Sequence, residues 1–213
     1  MAKLVIALIL VTSYLFVTIP GVYGRIPNTR DRAEEKAFLR HVCGGKEKVV
    51  KLHFYVQDLR IGHANATVFE VAKASITPTH PTAFGSVHVL DDLITEGPAF
   101  NSRALGQTQG LTTNADLATF GIHMNLNFYF TVGRYAGSTL SILGRNQVLD
   151  SERELPVVGG TGVFRFARGY AIQSTYSIDF PTSYAVLEYT IYTTYNSRIS
   201  ESYDDVEIEI AQM

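Results

Sequence analysis

No disulfide can form within this chain, because Cys43 is the only cysteine among its 213 residues. A fold made from this sequence is therefore held by packing and not by covalent cross-links. The thiol also lacks the surroundings of a nucleophile, since Val42, Gly44 and Gly45 supply neither a base nor a positive charge. We predict that Cys43 is a free surface thiol without a catalytic role.

Net charge is nearly absent as well, because 18 Lys and Arg residues are balanced by 20 Asp and Glu residues. The formal charge of -2 at pH 7 creates no long-range field that would attract nucleic acid or an anionic membrane surface. We therefore predict no nucleic-acid partner. The chain length and a hydrophobic content of 46% are sufficient for one sizeable core.

The sequence also lacks a metal-binding pattern. Its six histidines are scattered, and none follows Asp91 and Asp92 at ligand spacing. Adjacent residues of a strand point to opposite faces, so these two carboxylates would not chelate one ion. We predict that they form a turn carboxylate pair, and that the chain uses no metal, no organic cofactor and no histidine-based catalytic triad.

The first residues, in contrast, have the pattern of a secretory signal peptide. Lys3 precedes an apolar run over residues 4–17, and Pro20-Gly21 leads to a small-residue exit at Gly24. The alternative is a retained membrane anchor, but the run is shorter than the roughly 20 apolar residues that span a bilayer. We predict a signal peptide at residues 1–24, secretion of the chain, and no membrane attachment after cleavage.

A polar stretch follows the signal sequence and precedes the folded part. Residues 25–48 are dense in charged side chains without a lasting period, which predicts a mobile arm or a short helix. Further along, Asn65-Ala66-Thr67 is a glycosylation sequon between two candidate strands. We predict a glycan on Asn65 at the tip of a hairpin, a position that suits a bulky group.

From Val49 onwards, apolar residues recur with period two, which is typical of antiparallel strands. The clearest strand covers residues 124–132, where Met124, Leu126 and Phe128 alternate with more polar residues. Further strands are predicted at residues 51–58, 67–74, 86–90, 138–143, 162–171, 184–194 and 203–210. Residues 133–137 and 159–162, both rich in glycine, are predicted turns.

An open sheet of about eight strands, without a helix to cover it, would leave two edge strands with unpaired backbone groups. Closing the sheet on itself pairs both edges. We therefore predict an all-β fold, an eight-stranded antiparallel barrel with an interior pocket, over residues 49–195. Residues 196–213 form a C-terminal extension that includes the predicted strand at 203–210. Apolar residues on outward faces, such as Tyr55 opposite Phe54, indicate that part of the outside is buried in an oligomer.

Several long strings in this order resemble the plant dirigent family. They are KLHFYVQD (51–58), NATVFEVA (65–72), FGSVHVLDDLITEGP (84–98), ALGQTQG (104–110), NFYFTVGRYAGSTLSILGRN (127–146) and RELPVVGGTGVFRFARGYA (153–171). The resemblance implies the barrel fold shared with allene oxide cyclase, a homotrimer, and secretion to the apoplast. The last two strings look more like the pterocarpan-synthase branch than the lignan-forming branch.

The resemblance also implies the activity. Lignan-type members steer the coupling of phenoxy radicals that a separate oxidase, a laccase or a peroxidase, generates from phenylpropanoids. Members similar to pterocarpan synthase close rings through quinone methides of isoflavonoid type. The predicted partners are therefore phenolic radicals or quinone methides. The alternatives are a small-ligand carrier without chemistry and a scaffold for lignin deposition in the cell wall.

Asp58 and Arg153 are the candidate catalytic residues. Asp58 ends the inward row of the first barrel strand, where a carboxylate would accept a phenolic proton or stabilise a cation; the alternative is a turn cap before Gly62. Arg153 matches a family arginine and would donate to a phenolate or carbonyl oxygen. The alternative for Arg153 is an ion pair with Glu152 or Glu154 in a solvated loop.

We predict that Phe54, Thr112, Asn146 and Phe166 contact the substrate. Two of these positions depart from the lignan-forming relatives, which have an Asp in place of Asn146 and tyrosines near Thr112. The pocket of this chain therefore lacks an acid and one or two phenol hydroxyls of those relatives. These departures weigh against pinoresinol-type coupling and against ring closure by the usual family acid.

Overall fold

The computed structural model describes Ala33, residues 47–60 and residues 65–196. The predicted signal peptide at residues 1–24, most of the predicted polar arm and the predicted strand at 203–210 lie outside the described residues. The strands are β1 (Glu47–Leu59), β2 (Val68–Ala72), β3 (Val87–Thr95), β4 (Ala104–Asn114), β5 (Gly121–Phe130), β6 (Thr139–Gln147), β7 (Arg153–Gly160), β8 (Arg168–Asp179) and β9 (Tyr184–Asn196). Short 3₁₀ helices at Gly133–Tyr135 and Gly162–Phe164 follow β5 and β7.

The strands form one closed antiparallel barrel. Each strand from β3 to β9 pairs with the next, and β1 pairs with β9 along its whole length. The ring closes where Tyr55 of β1 lies opposite Thr95 of β3, and β2 then continues beside β3 from Val68 opposite Leu90. Since β1 and β2 together occupy one position in the ring, the predicted all-β, eight-stranded barrel is confirmed.

The arrangement of β1 and β2 corrects the predicted hairpin around Asn65. Both strands pair antiparallel with β3, so they run in the same direction and not against each other. Asn65 lies in an exposed turn directly before β2. β1 stays paired with β9 as far as Leu59, whereas β2 takes over from β1 as the partner of β3.

Two strands were not predicted, and one predicted strand was wrong in its first half. β4 and β7 complete the ring although β4 is rich in Gly, Gln and Thr. Gly106 of β4 is required there, since a Cβ would lie 1.9 Å from the carbonyl oxygen of Tyr129 on β5. The predicted strand at 162–171 instead begins as a 3₁₀ helix, and Phe166 has a φ of 62°, which interrupts extended backbone before β8.

The barrel interior is filled by a layer of aromatic rings. Met124, Leu126, Phe128 and Phe130 of β5 are buried, as their period predicts. The ring of Phe128 lies 5.0 Å from that of Phe54 and 5.1 Å from that of Tyr189, both edge-on, a geometry that aromatic quadrupoles favour. This aromatic layer separates a cavity of about 250 Å³ near the end of β1 from one of about 120 Å³ nearer its start.

Gln57 has the same parity on β1 as Tyr55, which the sequence predicts to face outward, yet Gln57 is fully buried. Its amide donates to the hydroxyl of Thr95 at 2.7 Å, and its oxygen accepts a hydrogen bond from the hydroxyl of Tyr184. The cover over this residue therefore comes from the same chain and not from another subunit. Within the described part of the chain, no helix is long and apolar enough to cross a membrane.

Candidate functional site

The larger cavity opens at the barrel end where β1 finishes. Apolar walls from Val56, Leu90, Leu126 and Leu187 surround a limited set of polar side chains. The polar set includes Asp58, Asp92, Thr108, Asn146, Arg153 and Gln173. A mainly apolar cavity with a few converging polar groups is typical of a small-molecule site.

Asp58 lies in the cavity wall at the end of the inward row of β1, as predicted from its parity. The guanidinium of Arg60 donates to Oδ2 at 3.2 Å, and its Nε lies 3.2 Å from Oδ1 without the alignment of a hydrogen bond. Burial raises the pKa of Asp58, and the charge of Arg60 opposes that rise. The side chain is therefore a carboxyl that exchanges its proton nearer to neutral pH than an exposed Asp.

Asp92 is a second buried carboxyl of the cavity that sequence reasoning missed. It lies within β3, which corrects the predicted turn pair: Asp91 is exposed on the outer face, whereas Asp92 is 2% exposed inside. Thr67 donates to Oδ1 at 2.5 Å. Burial and the nearby charge of Asp58 raise the pKa of Asp92 to about 8. Its parity with Leu90 and Ile94, both buried, was the signal that could have revealed it.

Arg153 begins β7 and is buried at the cavity wall. Its Nη1 donates to the carbonyl oxygen of Asp150 at 2.9 Å and to the hydroxyl of Thr175 at 3.1 Å. These partners replace the predicted alternative, an ion pair with Glu152 or Glu154 in a solvated loop. Burial lowers the pKa of Arg153, although an arginine remains charged at any physiological pH.

The predicted substrate-contacting residues are divided between three places. Thr112 and Asn146 line the cavity together with Asp58 and Arg153. Phe54 lies in the aromatic layer and lines the smaller cavity. Phe166 is 55% exposed and lies outside the larger cavity's lining. The structure therefore brings Asp58, Arg153, Thr112 and Asn146 into one site and leaves the two phenylalanines apart from it.

Unpartnered polar atoms are concentrated in this cavity. Among the described residues, five buried side-chain nitrogen or oxygen atoms have no hydrogen-bond partner. Four of the five belong to cavity-lining residues: Oδ1 of Asp58, Oγ1 of Thr108, Oδ1 of Asn146 and Nε of Arg153. Leaving such atoms unpaired costs about 1–3 kcal/mol each, so their clustering indicates a site for a polar ligand.

The chemistry available in the cavity is proton transfer and charge stabilisation. Two carboxyls, two arginines, a histidine and several neutral hydrogen-bonding groups surround a space of about 250 Å³. Such a set can accept from and donate to ligand hydroxyl and carbonyl groups. In the described ranges, no group of three or more His, Cys, Asp or Glu side chains is arranged to hold a metal ion.

Comparison with known proteins identifies relatives over most of the barrel. The family described as Dirigent-like protein matches residues 49–194. Dirigent protein 11 of Arabidopsis thaliana is 45% identical over 146 residues, which cover 68% of this chain and 74% of the relative. Pterocarpan synthase 1 of Glycyrrhiza echinata is 40% identical over 148 residues, with 69% and 78% covered.

A solved structure agrees with these relatives. The structure of a pterocarpan synthase dirigent protein superposes with a TM-score of 0.66 at 38% sequence identity. The match covers 71% of this chain and 93% of that protein. The similarity therefore extends through the strands that carry the cavity.

Proposed function

The chain belongs to the dirigent family, and from that membership we propose that it imparts stereoselectivity on ring closure or coupling of phenolic intermediates. The substrates are quinone methides or phenoxy radicals of phenylpropanoid or isoflavonoid type, and a separate oxidase, a laccase or a peroxidase, supplies the radicals. The predicted signal peptide and the sequon at Asn65 support action outside the cell, in the apoplast. Similarity to two pterocarpan synthases favours ring closure.

The observation that carries this proposal is the set of unpartnered polar atoms in the cavity. Three are oxygen acceptors and one is a nitrogen donor of a cation. Phenolic hydroxyls donate to such acceptors, and a quinone methide oxygen accepts from such a donor. The apolar walls contribute the area that an aromatic ring buries. A phenolic ligand therefore satisfies both the polar atoms and the apolar surface.

Ring closure fits this cavity better than radical coupling does, because it needs proton transfer at the protein. In ring closure a phenol adds to an electrophilic methide carbon, loses its proton, and leaves negative charge on the quinone oxygen. In this proposal Asp58 takes the phenolic proton and Arg153 stabilises the developing oxyanion, which is supported by the place of both residues in the cavity lining. Radical coupling requires mainly that two partners be held in one orientation.

Product stereochemistry tests the proposal directly. We expect the purified protein to convert an isoflavanol to its ring-closed product in enantiomeric excess, measured by chiral chromatography. Coniferyl alcohol with an oxidase is the parallel assay for coupling. Heat-denatured protein is the control, since it leaves spontaneous chemistry unchanged. Racemic products across the whole phenolic panel contradict the proposed function.

We also propose that the barrel is a homotrimer, as the family resemblance implies. Its outer face carries an apolar stripe in cross-strand register, formed by Phe69, Val89, Leu111 and Leu143 of β2, β3, β4 and β6, with Asn125 of β5 between the last two. All four apolar residues are exposed. An exposed apolar stripe of this kind, interrupted once by Asn125, favours burial against another copy.

Light scattering on the mature protein tests the assembly. We expect a trimer at micromolar concentration, and Leu111→Lys is expected to dissociate it because a buried charge at the centre of the stripe lacks a partner. Val49→Lys is the matched control, since Val49 is exposed at the start of β1 and lies opposite Thr194 of β9, outside the strands that form the stripe. A monodisperse monomer of the unsubstituted protein contradicts the proposal.

A further inference from the structure

We propose that Asp92 is the proton donor of the cavity and that Asp58 is its proton acceptor, an inference that rests on the proposed function. Asp92 then protonates the quinone methide oxygen while Asp58 takes the proton of the attacking phenol. This assigns an acid to a cavity whose lining otherwise includes neutral amides such as Asn146. The assignment follows from what each carboxyl contacts.

The two carboxyls occupy one corner of the cavity but have different partners. Thr67 links Asp92 to the end of β1: its hydroxyl donates to Asp92 at 2.5 Å and accepts from the backbone N–H of Leu59, the residue after Asp58, at 3.4 Å. Asp58 has a guanidinium within 3.2 Å, whereas a neutral hydroxyl is the partner of Asp92 among the described residues. A direct ion pair with Arg60 favours the ionised form of Asp58, whereas Arg60 supports ionised Asp92 without forming an ion pair with it among the described residues.

The charged groups around Asp92 shift its pKa in both directions. Asp58 on β1 and Asp91 on β3 disfavour its ionisation, and Arg60 after β1 favours it. Tyr189 of β9 also interacts with it, and its own pKa is raised mainly by burial. His88 of β3 and Arg153 of β7 line the same cavity. Burial is the largest influence, and it keeps Asp92 protonated at neutral pH.

Two carboxyls whose environments separate their proton affinities can divide the acid and base roles. In the proposed step, the phenol oxygen bonds to the methide carbon and its proton passes to the Asp58 carboxylate. The electron pair of the methide double bond moves to the quinone oxygen, which takes the proton of Asp92. One proton returning from Asp58 to Asp92 then restores both groups. This closure of the quinone methide is an isomerisation. When an isoflavanol is the probe, the quinone methide first forms by loss of one water, made from the benzylic hydroxyl and a phenolic proton, so neither step consumes an oxidant or reductant.

The pH profile of ring closure distinguishes this role from a structural one. With an isoflavanol as probe, we expect the rate of the unsubstituted protein to fall as pH rises through about 8, where Asp92 ionises. Asp92→Asn should lose about 100-fold in rate and should lose this alkaline decline. Asp91→Asn is the matched control, since its exposed carboxylate lies on the outer face of the same strand. An Asp92→Asn profile and rate equal to those of the unsubstituted protein overturn the assignment.

A second variant keeps the inference testable if Asp92→Asn does not fold. Thr67→Val removes a hydrogen bond that favours ionised Asp92, so the alkaline decline should move to higher pH. Because Thr67→Val also removes the sequon, Asn65→Gln is its control. A decline that does not move with Thr67→Val overturns the assignment.

Carbon-13 NMR of the Asp92 carboxyl gives a readout that does not depend on turnover. We expect Asp92 to be protonated at pH 7. If Asp92 is ionised at pH 7 while the unsubstituted protein shows product bias, the donor role of Asp92 is overturned and the proposed function stands. Asp58→Asn should lower the pKa of Asp92, because it removes a negative neighbour. A protonated Asp92 in a protein without product bias on any probe overturns the proposed function, and the donor role with it.

Discussion

Replacing Asp58 with alanine abolishes product bias and slows ring closure by about 100-fold or more, while binding of the phenolic ligand stays close to that of the unsubstituted protein. The rate falls because no other described residue offers a carboxylate held beside a cation within the cavity. Binding is retained because many apolar wall residues contribute the buried area. Chiral chromatography measures the bias, and ligand-induced change in tyrosine fluorescence measures the binding.

Asp179→Ala is the control for this prediction, since Asp179 is an exposed aspartate at the end of β8. Loss of a buried carboxyl with a raised pKa is not expected to unfold the barrel, because burial disfavours its charged form. The same pair of measurements also separates an enzyme from a carrier. A carrier binds the ligand and has no product bias to lose, so undiminished bias in Asp58→Ala contradicts the role assigned here.

Replacing Phe128 with alanine destabilises the barrel by about 3–5 kcal/mol, the usual cost of emptying a fully buried phenylalanine site. Phe128 has no exposed surface, and its ring contacts those of Phe54 and Tyr189 from opposite strands. Neighbours held in a closed ring of strands have little freedom to fill the void. Urea unfolding followed by circular dichroism measures the change in the free energy of unfolding.

Phe180→Ala is the matched control for the aromatic layer. It makes the same substitution at a side chain that is 77% exposed in the β8–β9 turn, so its effect should stay within about 0.5 kcal/mol. Equal destabilisation by the two variants contradicts the view that the aromatic layer holds the barrel together. Destabilisation by Phe128→Ala but not by Phe180→Ala supports that view, because the chain has no disulfide that could compensate for lost packing.

The period of apolar residues was sufficient to predict the barrel and one of the two buried carboxyls of the site, Asp58, but not the other, Asp92. On β1 the alternation placed Asp58 in the inward row, and the structure has it in the cavity wall. The same alternation on β3 places Asp92 inside, but the predicted strand ended at Leu90 whereas β3 continues to Thr95. Charged residues in β3 reduced its local strand preference, and pairing with β4 along its length outweighed that preference.

Other features depend on contacts that sequence patterns do not encode. β4 has few apolar residues, and its place in the barrel comes from pairing with β3 and β5 on its two sides. Arg153 finds its partners in backbone oxygens of the β6–β7 turn and in a hydroxyl on β8, neither of which is fixed by spacing. The left-handed backbone of Phe166 likewise follows from the tight path after the second 3₁₀ helix.

The aromatic layer closes the larger cavity at the side that faces the start of β1, so the cavity opens at one end of the barrel. Tyr189 forms part of the cavity floor, and its ring stacks on Phe54 beneath, with 5.8 Å between their centroids. A ligand that enters at the end of β1 therefore does not leave through the opposite end. Substrate and product use the same cavity entrance, so a product that dissociates slowly blocks binding of the next substrate. In the proposed ring closure, turnover then depends on the rate at which the closed-ring product dissociates as much as on the rate of the chemical step.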